Sequence, residues 1–209
     1  MTQSITLDGH RLVAICAGQH DLAARSMLNK FAELHAVGPR LAPGTRIDFG
    51  WMPLQIEANN GEWLVCEPDF DSEPMQWRPS VDATLGVLQA QGTLMRHLGI
   101  QPKRTRGDHL LWLAPSAVRA SSVYLHRKES ESADKSGWYI GKECSEEDDE
   151  ETQCAVEVLA GRLLSIKPEW VVVLTLPVGY LAQFEEDRLT AIYDDRDQCI
   201  FPVQDGKVQ

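Results

Sequence analysis

The most informative segment for the fold is Ser136-Gly137-Trp138-Tyr139-Ile140-Gly141-Lys142-Glu143, which has the apolar pattern of a β-strand and a glycine near each end. It leads into six consecutive carboxylates at positions 146–151. An unpaired charge in a protein interior costs several kcal/mol, so this acidic block faces either water or a cationic partner. We therefore expect a candidate binding surface there. The acidic block consists of Glu146, Glu147, Asp148, Asp149, Glu150 and Glu151.

The negative charge of the chain is concentrated in its second half. The 209 residues have a formal net charge of −11. Residues 1–106 hold 10 Lys/Arg and 11 Asp/Glu, whereas residues 107–209 hold 10 Lys/Arg and 20 Asp/Glu. Such a surface repels the phosphates of nucleic acid and favours a basic protein as its partner. An acidic surface also serves solubility alone, so charge by itself leaves both interpretations open.

The sequence carries no pattern of a membrane span, a secretion signal or a cofactor site. No apolar run approaches the length of about 18 residues that spans a bilayer. Residues 1–11 lack the basic start and apolar middle of a signal peptide, so we predict a soluble, cytoplasmic protein with no membrane partner. The five cysteines contain no CxxC pair, which argues against a disulfide framework and a zinc site. No phosphate loop or EF-hand pattern occurs, so we expect neither a cofactor nor a metal.

The first half of the chain predicts a small domain of helices and strands. Apolar residues recur three and four positions apart over residues 21–38, and again over 80–99 with Ser80 as the N-cap, as on the buried face of an amphipathic helix. Asn59-Asn60-Gly61 is typical of the turn in a β-hairpin. The polar, basic segment 101–108 is the clearest break, so we expect a domain boundary there. The strands predicted in this half are residues 11–17, 46–57 and 62–68.

The residue patterns in the second half of the chain predict a second small domain of helices and strands. An apolar stripe after the acidic block predicts a helix over residues 151–166, and Pro168 ends it. The continuous apolar run 170–176 predicts a central strand. We thus expect an α+β fold of two small mixed domains, residues 1–105 and 118–209, each with a mostly antiparallel sheet and one or two packed helices. Further strands are predicted at 109–114, which could belong to either domain, and at 122–127, 180–185 and 188–193.

Tryptophans and carboxylates offer two further candidates for function. The rings of Trp51, Trp112, Trp138 and Trp170 are predicted to fill the core, whereas Trp77 lies in a Pro-rich loop and is expected near a surface. The segment 67–71 holds three carboxylates, Glu67, Asp69 and Asp71. Such a cluster could supply a general acid and base to a hydrolase. An exposed loop after a strand explains it equally well.

The second half resembles a known family of bacterial proteins. Ser136-Gly137-Trp138, then Gly141 and Glu143, an acidic stretch, Pro168-Glu169, and Leu176-Pro177 with Gly179 occur in the order found in bacterial immunity-protein family thirty-three. The resemblance covers about residues 120–195. Family members often have an acidic residue immediately before the Ser-Gly-Trp motif, where this chain has Lys135.

The resemblance implies a role in interbacterial competition. Such proteins are encoded beside a polymorphic or secreted toxin, as in type VI secretion, and protect the producing cell by binding that toxin. It carries over no catalytic residue. We expect the acidic block to contact a basic toxin surface, with Asp194 and Asp195, and also Asp197, as helpers. The motif residues expected to be structural are Ser136, Gly137, Trp138, Gly141, Pro177 and Gly179.

Two other functions stay open on the sequence alone. The first is a hydrolase that uses the carboxylates of residues 67–71. The second is an adaptor or toxin-loading chaperone, which would bind the toxin without quenching it. An assay of toxin activity in the presence of the purified protein separates an adaptor from an inhibitor.

Overall fold

The computed structural model describes residues 1–130, 132–142 and 155–202. The chain forms two compact units, Met1–Gln89 and Ala90–Gln209, and each contains one β-sheet with helices. The predicted α+β fold class is confirmed. The division between the units falls inside a helix, and the domain boundary expected at 101–108 stays a prediction. In the described part of the chain, no helix is long and apolar enough to cross a membrane.

The first unit contains a six-stranded sheet in the order β1-β2-β5-β4-β3, and β6 pairs with β5. All strand pairs are antiparallel except β2 with β5. The predicted hairpin between β4 and β5 is confirmed, and Asn60 and Gly61 have the positive φ angles, 48° and 85°, that a type I′ turn requires. The strands are β1 Thr2–Leu7, β2 His10–Ile15, β3 Arg46–Phe49, β4 Met52–Asn59, β5 Glu62–Asp69 and β6 Gln76–Arg78.

Both predicted amphipathic helices are confirmed. Helix α1, Asp21–Val37, buries Ala24, Met27, Leu28 and Phe31 along one face. Helix α2, Asp82–Leu98, begins where the Ser80 hydroxyl accepts a 3.1 Å hydrogen bond from the Asp82 N–H group. The apolar periodicity of both helices and the Ser80 cap of α2 are local features, which is why the sequence was sufficient to predict them, whereas no side chain in the described part of the chain caps the N-terminus of α1.

The second unit contains a seven-stranded sheet in the order β10-β7-β9-β8-β11-β12-β13. Its strand pairs are antiparallel except β7 with β9. Side chains alternate between a packed face and an open face, as one-sided sheets do. The strands are β7 Leu110–Leu113, β8 Ser122–Arg127, β9 Lys135–Lys142, β10 Val156–Leu159, β11 Leu181–Glu185, β12 Arg188–Tyr193 and β13 Cys199–Phe201.

The helix predicted over 151–166 is wrong over residues 156–159, and only the C-terminal end of its described part is helical. Residues 156–159 form β10, followed by a 3₁₀ turn at Ala160–Arg162 and the short helix α3, Leu163–Ile166. Val156 and Val158 flank Glu157 in the alternation of a strand, and β10 pairs with β7 over its full length. Tertiary pairing therefore overrides the helical periodicity of this segment. Residues 151–154 lie outside the described part of the chain.

The strand predicted at 170–176 is also wrong. Pro168–Thr175 form a 3₁₀ helix with the proline in its first turn, and Trp170, Val171, Val173 and Leu174 are buried. A short, continuous apolar run is compatible with a buried strand or a buried helix, and periodicity alone does not separate them. Pro168 has its φ angle fixed near the helical value and stands in the first turn, so it favours a helical start over a strand.

Candidate functional site

The Ser-Gly-Trp motif lies in β9 and joins three parts of the second unit. Trp138 is fully buried, and its Nε1–H group donates to Thr105 Oγ1 and to the Leu174 carbonyl, both at 3.2 Å. Ser136 Oγ donates to the Leu110 carbonyl at 2.9 Å and accepts from the Trp138 N–H group at 3.2 Å. These bonds connect β9 with three parts of the second unit: β7, the segment before β7 that contains Thr105, and the 3₁₀ helix Pro168–Thr175. The motif therefore holds the sheet to the segments that pack against it, and we refer to this set of contacts as the frame.

Gly137 occupies a position that no other residue fits without strain. Its φ angle is +77°, and a Cβ atom built there would lie 2.2 Å from the Lys128 carbonyl oxygen. The close approach lets the Lys128 N–H group donate to the Gly137 carbonyl at 2.9 Å. The glycine thus permits the hairpin between β8 and β9 to close.

Gly141 provides space on the open face of the sheet. A Cβ atom there would lie 2.8 Å from Tyr139 Cε1 and 2.9 Å from Tyr124 Oη. The two tyrosine rings have centroids 5.9 Å apart. The glycine therefore allows the Tyr124 ring to lie over the backbone of β9, next to Tyr139.

Arg127 is a functional part of the frame that the sequence analysis missed. The side chain is 3% exposed, and its Nη1 group donates to the carbonyls of Lys103 at 2.6 Å and Leu176 at 2.7 Å. The guanidinium lies 5.7 Å from the centroid of the Trp138 ring. Burial lowers the pKa of Arg127 to about 10, and the charge of Glu129 opposes that shift. The available sequence signal was its inward position at the end of an alternating strand, after Val123 and Leu125.

Pro177 and Gly179 shape the turn that receives Arg127. The Leu176 carbonyl, immediately before Pro177, accepts from the guanidinium. The Gly179 N–H group donates to the Arg127 carbonyl at 2.7 Å. The φ angle of Gly179 is +87°, and a Cβ atom there would lie 2.8 Å from Asp195 Cβ.

The expected acidic contacts lie partly outside the described residues. The acidic block, Glu146–Glu151, falls there entirely. Asp194 lies in the turn after β12, where its Oδ1 accepts from the N–H groups of Arg196 and Gln198, each at 2.9 Å. Asp195 is exposed in the same turn. Burial, with the charges of these two aspartates, raises the pKa of Tyr180.

Two of the three carboxylates suggested for a hydrolase, Glu67 and Asp69, accept hydrogen bonds from the backbone. Glu67 is 2% exposed, and its carboxylate accepts from the N–H groups of Ala83 at 3.3 Å and Thr84 at 2.9 Å, and from the Thr84 hydroxyl at 2.9 Å. It therefore caps the first turn of α2. Asp69 accepts from the Asp71 N–H group at 3.2 Å in a tight turn. Among the residues that the structure describes, no group of three or more His, Cys, Asp or Glu is arranged to hold a metal ion.

The open face of the second sheet carries an exposed tryptophan, so the prediction that Trp112 belongs to the core is wrong. Leu111 and Leu113 point into the core, which places Trp112 on the opposite face with 39% of its surface exposed. Lys135 Nζ lies 5.4 Å from the centroid of the Trp112 ring and 2.8 Å from Glu157 Oε1. Glu157 pairs in register with Trp112 across β10 and β7. We refer to Trp112, Lys135 and Glu157 as the Trp112 cluster.

A cavity of about 290 Å³ opens beside the Trp112 cluster. Leu110 and Tyr139 line it, together with the charged residues Lys128 and Glu129 and the three residues of the Trp112 cluster. The sites where proteins recognise a partner's anchor residue have this composition, with an apolar floor and a polar edge. The Trp112 cluster and this cavity form the candidate binding site of the second unit.

The described residues of the second unit are not acidic. They hold 13 Lys/Arg and 11 Asp/Glu, whereas residues 131, 143–154 and 203–209 together hold nine Asp/Glu and one Lys. Of the net charge of −10 on residues 107–209, residues 143–151 carry −7, so most of the excess negative charge lies in the acidic block and Glu143. The open sheet face has charges of both signs.

The comparisons with known proteins place this frame in a family. Residues 90–195, half of the chain, match the model of the Imm33-like domain. The chain therefore belongs to the Imm33-like family, and the resemblance predicted from the Ser-Gly-Trp motif is confirmed. No curated protein and no solved structure matches the chain.

Proposed function

We propose that the chain is an immunity protein, which binds a cognate antibacterial toxin and neutralises it by stoichiometric occlusion. The observation that carries the proposal is membership of the Imm33-like family. In the producing cell, the protein would act in the cytoplasm on a polymorphic toxin, for instance one delivered by type VI secretion. Such an inhibitor needs a surface that complements the toxin and needs no reaction of its own.

The charges of the chain support a basic toxin surface as the partner. A net charge of −11 attracts a cationic protein over long distances and accelerates its association. In this proposal the acidic block makes first contact, with Asp195 as a further exposed carboxylate. Asp194 contributes less, because its Oδ1 atom already accepts two backbone hydrogen bonds.

Co-expression tests the proposal directly. The toxin domain encoded by the neighbouring gene is expressed in a susceptible bacterium with and without this chain. We expect growth to be restored by this chain, and the purified toxin to lose its activity at a molar ratio of about one, as a tight complex requires.

Two results would contradict occlusion. A stable complex with full toxin activity would identify an adaptor. Loss of activity at a small fraction of one equivalent, with a covalent change in the toxin, would identify an enzyme. Mass spectrometry of the recovered toxin distinguishes this second result from simple binding.

A further inference from the structure

The Trp112 cluster holds a cation between an aromatic ring and a carboxylate. Lys135 Nζ lies 5.4 Å from the Trp112 ring centroid and 2.8 Å from Glu157 Oε1. A cation over the face of tryptophan is stabilised by the ring's quadrupole, and more so where water is excluded. The protein's own lysine therefore shows which kind of side chain this position accepts.

The geometry of the cluster also indicates that the lysine can be replaced. Lys135 reaches the ring with a flexible four-carbon stem from an outward position of β9, and its side chain is 28% exposed. The open cavity beside the ring gives another side chain access to the same place. A half-exposed tryptophan beside such a cavity is the residue type that most often anchors a protein interface.

An arginine fits the position better than a lysine does. The planar guanidinium stacks on an aromatic ring and donates two parallel hydrogen bonds to one carboxylate, which an ammonium group cannot do. Glu157 supplies that carboxylate, and the charges of Glu129 and Lys128, which also line the cavity, offset each other. The negative net charge of the chain selects a partner rich in such cations.

We propose that an arginine side chain of the toxin displaces Lys135, stacks on Trp112 and pairs with Glu157. This inference rests on the proposed function and names the contact through which the toxin is held. The acidic block would accelerate encounter, whereas the Trp112 cluster would slow dissociation.

Reversal of charge within the cluster tests the inference. The probe is the purified toxin domain encoded by the neighbouring gene, and its affinity for each variant is measured by calorimetry. We expect Glu157→Lys and Trp112→Ala each to weaken binding by about tenfold or more, as for central anchors. Lys135→Glu removes the competing cation and adds a second carboxylate, so it should tighten binding several-fold.

A matched control and a folding check accompany these variants. Glu185→Lys makes the same charge change at an exposed position of β11, and it should alter affinity less than Glu157→Lys does. Thermal unfolding of each variant verifies that the sheet is intact. Because Lys135→Glu is expected to gain affinity, its effect does not depend on damage to the fold.

The direction in which each variant changes the affinity for the toxin domain decides whether the inference holds. Weaker binding by Lys135→Glu, with tighter binding by Glu157→Lys, would show that the cavity accepts a carboxylate, and it would overturn the inference. Unchanged affinity of all three cluster variants would also overturn the inference. In that case the proposed function would still stand, provided that the wild-type protein neutralises the toxin. Failure of the wild-type protein to bind the toxin would overturn both.

Discussion

Gly137 shows how a single residue can control the hairpin that supports the site. Two separate constraints act on it, a left-handed φ of +77° and the Lys128 carbonyl 2.2 Å from any Cβ atom. The first constraint is common among glycines in turns, whereas the second forces the backbone to move. A comparison with a glycine that has only the first constraint separates the two.

Substitution of Gly137 by alanine should therefore destabilise the protein more than the same change at Gly99. Gly99 has a φ of +67° but no heavy atom within 4 Å of a built Cβ. We expect Gly99→Ala to lower the free energy of unfolding by about 1 kcal/mol, and Gly137→Ala by about 3 kcal/mol or more. Urea denaturation of both variants measures the difference. Equal effects would show that the hairpin absorbs the methyl group.

Arg127 links four backbone carbonyls to one buried charge. In addition to Lys103 and Leu176, its guanidinium donates to the carbonyls of Arg104 at 3.2 Å and Leu174 at 3.4 Å. A buried carbonyl that loses a charged donor keeps the cost of its desolvation. The arginine therefore stabilises the segment before β7 and the C-terminal end of the 3₁₀ helix.

Replacement of Arg127 by methionine keeps the apolar stem and removes these donors. We expect the free energy of unfolding to fall by about 3 kcal/mol or more. Arg119→Met, at an exposed position of the same unit, is the matched control and should change the free energy of unfolding by less than about 0.5 kcal/mol. Similar stability of the two variants, measured by urea denaturation, would contradict the role given to Arg127.

Two histidines predict how stability depends on pH. Burial lowers the pKa of His109, and the neighbouring Asp108 opposes that shift; burial also lowers the pKa of His126, assisted by Lys128. A lowered folded-state pKa means that the unfolded chain binds the proton first, so stability is lost as pH falls below about 6.5.

We expect the free energy of unfolding to decrease between about pH 7.5 and pH 5.5, before most carboxylates titrate. The double variant His109→Gln with His126→Gln should show a smaller decrease over the same interval. Denaturant unfolding at both pH values provides the measurement, and each protein is compared with itself at the higher pH. An equal decrease in both proteins would assign the effect to other groups.

At the scale of elements, the start of α2 explains the buried carboxylate of β5. The Glu67 carboxylate accepts hydrogen bonds from N–H groups of the first helical turn, which would otherwise bind water. It also lies near the positive end of the helix dipole. Ser80 caps the same end from the chain itself. The strand and the helix are therefore joined by a charge-assisted contact within the first unit.

Substitution of Glu67 by glutamine should weaken this contact without affecting protection against the toxin. We expect a loss of about 1–2 kcal/mol in the free energy of unfolding, because a neutral amide accepts more weakly and also places a donor against N–H groups. Asp69→Asn makes the same change from carboxylate to amide on the same strand but away from the start of α2, so it is the control and should lower the free energy of unfolding less. Loss of protection by a well-folded Glu67→Gln or Asp69→Asn variant would revive the hydrolase hypothesis.

At the scale of the whole molecule, charge is distributed unevenly between the described units. The first unit holds six Lys/Arg and 11 Asp/Glu, while the described part of the second holds more cations than anions. In our proposal, long-range attraction of a basic toxin depends on the first unit and the acidic block. Short-range recognition belongs to the open sheet face in our proposal.

Neutralisation of the acidic block should therefore change the rate of association more than the rate of dissociation. With Glu146–Glu151 replaced by Gln and Ser, we expect association with the toxin domain at low salt to slow by about tenfold or more and to depend less on salt. The double variant Glu185→Gln with Glu186→Gln controls for the removal of exposed charge elsewhere. Stopped-flow measurements over a range of salt concentrations test this, and an unchanged rate and salt dependence would contradict the electrostatic role.

The sequence by itself determined the elements whose signals are local. The turn at Asn60-Gly61, the apolar faces of α1 and α2, the Ser80 cap of α2, the alternation in β8 and the Ser-Gly-Trp motif each depend on residues a few positions apart. The family followed from that motif and its neighbours, and so did the expectation of a binding protein.

Only the tertiary structure decided which segments pair and which faces stay open. β10 is a strand because β7 offers it a partner, and Pro168–Thr175 forms a buried 3₁₀ helix where the apolar run alone was equally compatible with a strand. Trp112 is exposed because its neighbours in β7 point inward, and Lys135 and Glu157 meet over its ring from separate strands. Such contacts join residues that are distant in sequence, so local propensity and periodicity do not predict them.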